Sequence, residues 1–276
     1  MLTEETIIRI FCLIDDSLKA MNHREDIRCR MSDSEVITTG VISGLFFGGH
    51  TEHGRQFMQS AGYIPDMLSK SRLCRRLHRC QELIQQLTAQ IGQLFKDLVC
   101  EREYILDSFP VAVCDNIRIS RCRLLQGEQW RGWQASMRRY FYGVKVQLMI
   151  TSSGVPVDYV IVPGCRADVK ALSQLCWALP PESRVYADAA YTDYQIEDWL
   201  AETQQVRLDP QRKSNSKRAD PPWTNFVKET MRKKIETAIS QLKALFLRSI
   251  HAVTPEGFQL KLSMFILAFA LKQAFL

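Results

Sequence analysis

The chain has 276 residues, of which 46% are hydrophobic and 24% charged, and a formal charge of +6. Its length gives material for one large or two ordinary domains with a full core, and its composition excludes disordered, collagenous and disulfide-stapled classes. No basic-then-apolar leader opens it, and the run Met264–Leu271 is shorter than the roughly 20 residues a bilayer span needs, so the expectation is a buried helix in a cytoplasmic protein that enters no membrane.

Residues 1–100 read as helices. Thr3 opens an apolar-periodic stretch through Ile7, Ile8, Phe11 and Ile14. Ser32 and Glu35 form an S-x-x-E capping box ahead of Val36, Ile37, Val41 and Ile42, and Gly48-Gly49 closes that helix. From Ser69, Leu73, Leu77, Cys80, Ile84, Leu87, Ile91, Leu94 and Leu98 recur every three or four residues, the stripe of one long helix. Its first turns carry Lys70, Arg72, Arg75, Arg76 and Arg79, cations suited to phosphate contacts, a pattern that suits a helical DNA-binding domain over residues 1–100 and equally a plain helical bundle with a charged surface.

The pattern changes near Glu101. Tyr104–Leu106 is a short apolar run ending in Asp107, and Tyr142, Val144, Val146 and Leu148 alternate along a strand. A Thr-Ser-Ser-Gly turn at 151–154 leads into a second strand, Val155–Val162. Asp168–Leu179 reads as a helix, Arg184–Asp188 as a strand, Tyr194–Glu202 as a helix and Gln205–Leu208 as a strand. The polar, basic segment 211–222 reads as a loop and Asn225–Leu247 as a long helix. This order predicts a mixed sheet with helices on its faces, an α/β domain over residues 101–276.

Charge is unevenly placed. Residues 1–200 carry 23 basic and 24 acidic side chains, whereas the last 76 residues carry 13 and 6. A further basic run comprises Arg118, Arg121, Arg123, Arg131, Arg138 and Arg139. Such clusters point to a polyanionic partner. The nine cysteines are scattered without a C-x-x-C pair, which reads as reduced thiols; Cys74, His78 and Cys80, and likewise His50 and His53, fit core and surface roles better than metal ligation.

On the helix around Glu236, Arg232 at −4 and Lys243 at +7 share its face, beside an apolar stripe of Ile235, Ile239, Leu242 and Phe246. Taken alone this face is equally a salt-bridge ladder. Asp107 in ILDSFPVAVCDNIRI, the strand YFYGVKVQL, Asp188 in YADAAYTD and Glu236 in KKIETAISQL together resemble the DDE transposases of bacterial insertion sequences. SDSEVIT and LSKSRLCRRLH extend the likeness, in wording, to the insertion-sequence-982 family over almost the whole chain. Arg232 and Lys243 match the R-x3-E-x6-K part of a related signature, whose tyrosine would fall at Glu229; Ala189 stands where relatives often carry a basic residue.

The resemblance implies a ribonuclease H-like catalytic domain preceded by the helical one. It implies a metal-binding triad of Asp107, Asp188 and Glu236, holding two Mg2+ ions that Mn2+ can replace. The implied partners are double-stranded DNA, at element ends and at the target, and a second copy of the chain on that DNA in the nucleoid. The competing readings are a related nuclease that cuts without joining and a transposase-derived DNA-binding protein without catalysis.

Overall fold

The computed structural model describes residues 2–246 and 250–276, so Leu247 and Arg248, at the end of the expected basic helix, lie outside the described residues. The chain divides into two compact units, Met1–Leu94 with Leu242–Leu276, and Phe95–Gln241.

In the helical unit, α1 (Glu4–Ala20) begins where the Thr3 hydroxyl accepts the Thr6 N–H. At the start of α2 (Asp33–Phe46) the expected capping box forms, Ser32 accepting from the Glu35 N–H while the Glu35 carboxylate accepts from the Ser32 N–H. Gly48 and Gly49 follow α2 at φ 54° and 78°, a left-handed turn that side-chain-bearing residues adopt at a cost. After α3 (Thr51–Ser60), the predicted single long helix is two: α4 (Lys70–Arg79) and α5 (Gln81–Val99). Cys80 leaves helical geometry between them, at ψ 6°, and its thiol lies 3.3 Å from Asp33 Oδ1. The stripe Leu73, Leu77, Cys80, Ile84, Leu87 and Ile91 is buried as periodicity requires, whereas Leu98 is exposed.

The second unit holds six strands: β1 (Glu103–Cys114), β2 (Arg131–Gln134), β3 (Arg139–Thr151), β4 (Pro156–Pro163), β5 (Arg184–Ala187) and β6 (Arg207–Pro210). One edge of β3 pairs antiparallel with β1; its other edge takes β2 at the start and β4 further on. The sheet continues from β1 through parallel pairs to β5 and β6. This mixed sheet flanked by helices is the ribonuclease H-like arrangement. One face buries Tyr104, Leu106, Met149, Val185 and Leu208 against Leu172, Tyr191 and Leu200, the last on α6 (Tyr194–Gln204), which Asp193 caps. Two elements differ from the sequence reading. The expected helix Asp168–Leu179 is a 3-10 turn over Asp168–Gln174, and the chain is already extended at Leu175. Strand β2 was not expected, because four residues are too few to show alternation.

Two further helices complete the chain, α7 (Pro222–Leu245) and α8 (Pro255–Phe275). By length and composition α8 could cross a membrane, and it is longer than its uninterrupted apolar run. Its residues Leu260, Met264, Leu267, Ala268 and Leu271 instead join the core built by Ile10, Ile14, Ile37, Val41, Leu73 and Leu77. Glycines on α2 permit the approach: a Cβ on Gly40 would fall 1.5 Å from Met264 Cε, and one on Gly44 3.5 Å from Ala268 Cβ. The expected division at residue 100 therefore does not follow the packing. Residues 242–276 group with the N-terminal helices, because the face those helices leave apolar is covered by α8.

Candidate active site

Asp107 is not at the end of its strand but inside β1. What ends there is the parallel pairing: Leu106 lies opposite Ala187, the last matched pair of β1 and β5. Asp107, on β1, and Asp188, the first residue past β5, are thus the next residues along two neighbouring segments, and such paired strands run about 4.8 Å apart. Asp107 Oδ1 accepts the Ser108 N–H at 2.7 Å, and Asp188 Oδ1 accepts the Ala189 N–H at 2.6 Å. Burial pushes the Asp107 carboxyl up to about 6; the Ser108 N–H opposes this, the Asp188 charge adds to it, and Arg232 opposes it. Two like charges side by side, one of them shielded from water, make a site that favours a cation.

Helix α7 brings the third carboxylate. Its buried stripe Ile235, Ala238, Ile239 and Leu242 fixes its rotation, leaving Arg232 and Glu236 on an exposed face. Arg232 Nε lies 3.1 Å from Glu236 Oε1 and its Nη1 3.7 Å from Asp188 Oδ1. One guanidinium therefore ties the helix acid to the strand acid. Below it a crevice of ≈ 10 Å³, room for one water-sized species, is lined by Asp107, Asp188, Lys228, Arg232 and Ile235 among others. Asp107 and Asp188 offer the crevice carboxylate oxygens, the donors that hard divalent cations select, and in that chemistry they fit such a group. Glu236 stands outside its lining and reaches Asp188 only through Arg232; among the described residues, the acids and histidine whose ligand atoms do gather within 4.8 Å are His23, Glu25 and Asp33.

A second layer lies on the opposite face of β3, and sequence reading missed it. Lys145 and Gln147 are polar positions in an otherwise apolar strand, and that interruption was the available signal. Gln147 and Tyr191 are fully buried; the Tyr191 hydroxyl donates to Gln147 Oε1, and Gln147 Nε2 donates to Asp168 Oδ1 at 2.8 Å. Lys145 Nζ closes the chain 3.1 Å from Asp168. Burial, with the charges of Asp168, Asp107 and Asp188, holds the Tyr191 hydroxyl well above its ordinary range, so it stays a donor.

A family model of the transposase DDE domain matches residues 99–271. The chain belongs to that family. No curated protein and no solved structure matches it. As a DDE transposase it is a DNA-acting protein of a mobile element, in a family that generally works with divalent metal ions.

Within this transposase the expected basic surfaces are only partly open. On α4, Lys70, Arg72, Arg75 and Arg79 are exposed, but Arg76 lies 2.6 Å from Asp33, which His23 also contacts at 3.0 Å. That cluster latches the segment before α2 onto α4, so Arg76 is committed within the fold. The C-terminal basic run is likewise bound internally in large part. Arg212 meets Glu197 at 2.7 Å with both side chains under 10% exposed, Arg218 meets Asp198 at 2.8 Å, and buried Lys228 meets Asp220 at 2.6 Å. Tyr194 lies under both arginines, which fastens the loop before α7. Exposed cations there include Lys213, Lys217, Lys233 and Lys234. Lys243 lies seven residues beyond Glu236 on α7, half-buried, in the stretch that groups with the helical unit.

Proposed function

We propose that this transposase cuts and joins DNA at the ends of an insertion sequence of the 982 family, with Asp107, Asp188 and Glu236 as its metal-binding residues. The observation that carries the reading is that Asp107 and Asp188 stand side by side where β1 and β5 stop pairing, while Arg232 links Asp188 to the helix glutamate Glu236. Magnesium, replaceable by manganese, would be held as two ions by these carboxylates and would supply activation of the attacking oxygen and stabilisation of the leaving one. The chain's own residues do the rest. β1 and β5 hold two carboxylates at a fixed strand spacing, the stripe of α7 fixes the third, and Arg232 releases its acids to meet phosphate. Lys243 and the exposed cations of α4 (Lys70, Arg72, Arg75 and Arg79) contact the DNA backbone, the helical unit reading the element ends, with two copies of the chain pairing two ends in the cytoplasm.

The test is cleavage of a DNA fragment carrying the element ends. Asp107→Asn, Asp188→Asn and Glu236→Gln keep size and hydrogen bonding while removing the charge that holds metal. Each should abolish cleavage and leave DNA binding measurable. Near wild-type cleavage by any one variant in magnesium removes that residue from the set, and nicked ends without joined products would make the enzyme a nuclease.

A further inference from the structure

The arm that follows β1 and runs into the start of β3, residues 115–140, takes no part in the site described above, and its side chains have an unusual composition. Trp133 and Tyr140 face each other across the β2–β3 ladder with ring centroids 4.7 Å apart, inclined at 64°. They are 50% and 58% exposed, where large aromatics normally pack inward. The pair is rigidly mounted: Gly132, beside Trp133, is buried so closely that a Cβ would fall 2.4 Å from Gly164 O and from the Phe141 ring. Arg138 turns the hairpin at φ 47°. The same arm carries Arg118, Arg121, Arg123, Arg131, Arg138 and Arg139, all exposed, against only Asp115 and Glu128 among its acids, and Asn116 donates to the Tyr140 carbonyl at 2.9 Å. Among the described residues, only Arg131 of these six has an ion-pair partner, Glu128 at 3.6 Å.

We propose that this arm seats unpaired nucleotides of the DNA, a base stacking on the Trp133–Tyr140 step and the flanking arginines holding the phosphates on either side. The proposal rests on the reading of the chain as a DNA-cutting transposase. An exposed aromatic face on an arm rich in exposed arginines matches a single strand, whose bases offer ring faces and whose backbone offers charge. Duplex DNA presents charge but hides those ring faces. A second copy of the chain fits poorly, because it would set one strongly cationic arm against another. The placement also suits a strand leaving the carboxylates. Asp107 pairs with Leu148, and Tyr140 lies eight residues back along β3. That even count puts Tyr140 on the same face of the strand, roughly 26 Å away, within reach of one continuous stretch of DNA.

The experiment measures affinity of the full chain, without divalent metal, for a 20-nucleotide oligothymidylate and for a 20-base-pair duplex. Trp133→Ala with Tyr140→Ala should weaken the oligothymidylate at least tenfold and the duplex less than threefold. Trp133→Phe should restore most of the single-strand affinity, and unchanged melting of each variant checks the fold. Arg138→Ala with Arg139→Ala should weaken both ligands and lower the salt slope by about 2. Unchanged oligothymidylate binding in the aromatic variant overturns the proposal. An equal loss on both ligands also overturns it, leaving backbone contact without stacking. A loss of self-association in sedimentation, with no loss of DNA affinity, would make the step a contact between copies instead. Binding needs no metal, so the two readings fail separately. A chain that seats oligothymidylate through Trp133 yet never cleaves DNA refutes the catalytic reading alone. One that cleaves with oligothymidylate binding indifferent to Trp133 refutes the arm alone.

Discussion

At the scale of single residues, Asp107 concentrates an unfavourable charge where the backbone offers it one N–H and the neighbouring strand offers a second acid. Its carboxyl, raised from 3.8 to about 6, gives a definite pH dependence to the metal-free protein. Between those values the folded state binds more protons than the unfolded one, so this group's contribution to stability falls as pH rises through the window. The shift corresponds to about 3 kcal/mol at most. Asp107→Asn removes the charge, so in EDTA the variant should match wild type near pH 4 and exceed it by about 1–3 kcal/mol at pH 7. Urea unfolding of both proteins across that range measures the gap, and a gap that does not widen with pH would show that Asp107 is not the strained group. The position of Asp107 after a short apolar run was readable from the sequence. Its strain was not, because the main cause is burial within the folded sheet, and the acid that adds to it, Asp188, is 81 residues away in the chain and adjacent only once β1 and β5 pair.

At the scale of elements, α7 is where sequence periodicity said most and also stopped short. The 3.6-residue repeat alone placed Arg232 beside Glu236 and the stripe of Ile235, Ile239 and Leu242 beneath them, and the helix is so arranged. The same repeat gave no means of telling a salt-bridge ladder from a functional face, since it says nothing about Asp188, which Arg232 also approaches. The loop before α7 shows the opposite error: its cations read as a phosphate-binding run, yet Arg212 and Arg218 reach acids on α6 that only the fold brings near. Arg232 now makes a sharp test. Its side chain is 44% exposed, so its ion pairs should contribute only about 0.3–0.5 kcal/mol to stability. Arg232→Ala should leave the melting temperature almost unmoved while cleavage falls tenfold or more, about 1.4 kcal/mol of lost interaction. Unchanged cleavage would reduce the pair to a surface ladder.

At the scale of the whole molecule, the chain returns to its beginning. Reading from one end, a helical stretch followed by strands suggests two domains in series with a cut near residue 100, and composition gives no reason to think otherwise. The hydrophobic faces of α1, α2, α4 and α5 do not, however, close on one another. Leu260, Met264, Leu267, Ala268 and Leu271 of α8 fill the gap, and Gly40 and Gly44 lack side chains where that helix arrives. Each of the four large side chains, fully buried, contributes about 1.5–3 kcal/mol, so removing them costs roughly 6–12 kcal/mol, the same order as the usual margin of about 5–15 kcal/mol. A fragment of residues 1–100 should therefore lack a cooperative melting transition and expose apolar surface to dye. Residues 1–94 joined to 250–276 by a short flexible linker should recover cooperative unfolding, because the linker restores α8 to α2 without the sheet unit. Circular dichroism melts of the two fragments decide the matter: a cooperative transition in the shorter one at the full chain's temperature would show that the N-terminal helices close a core of their own.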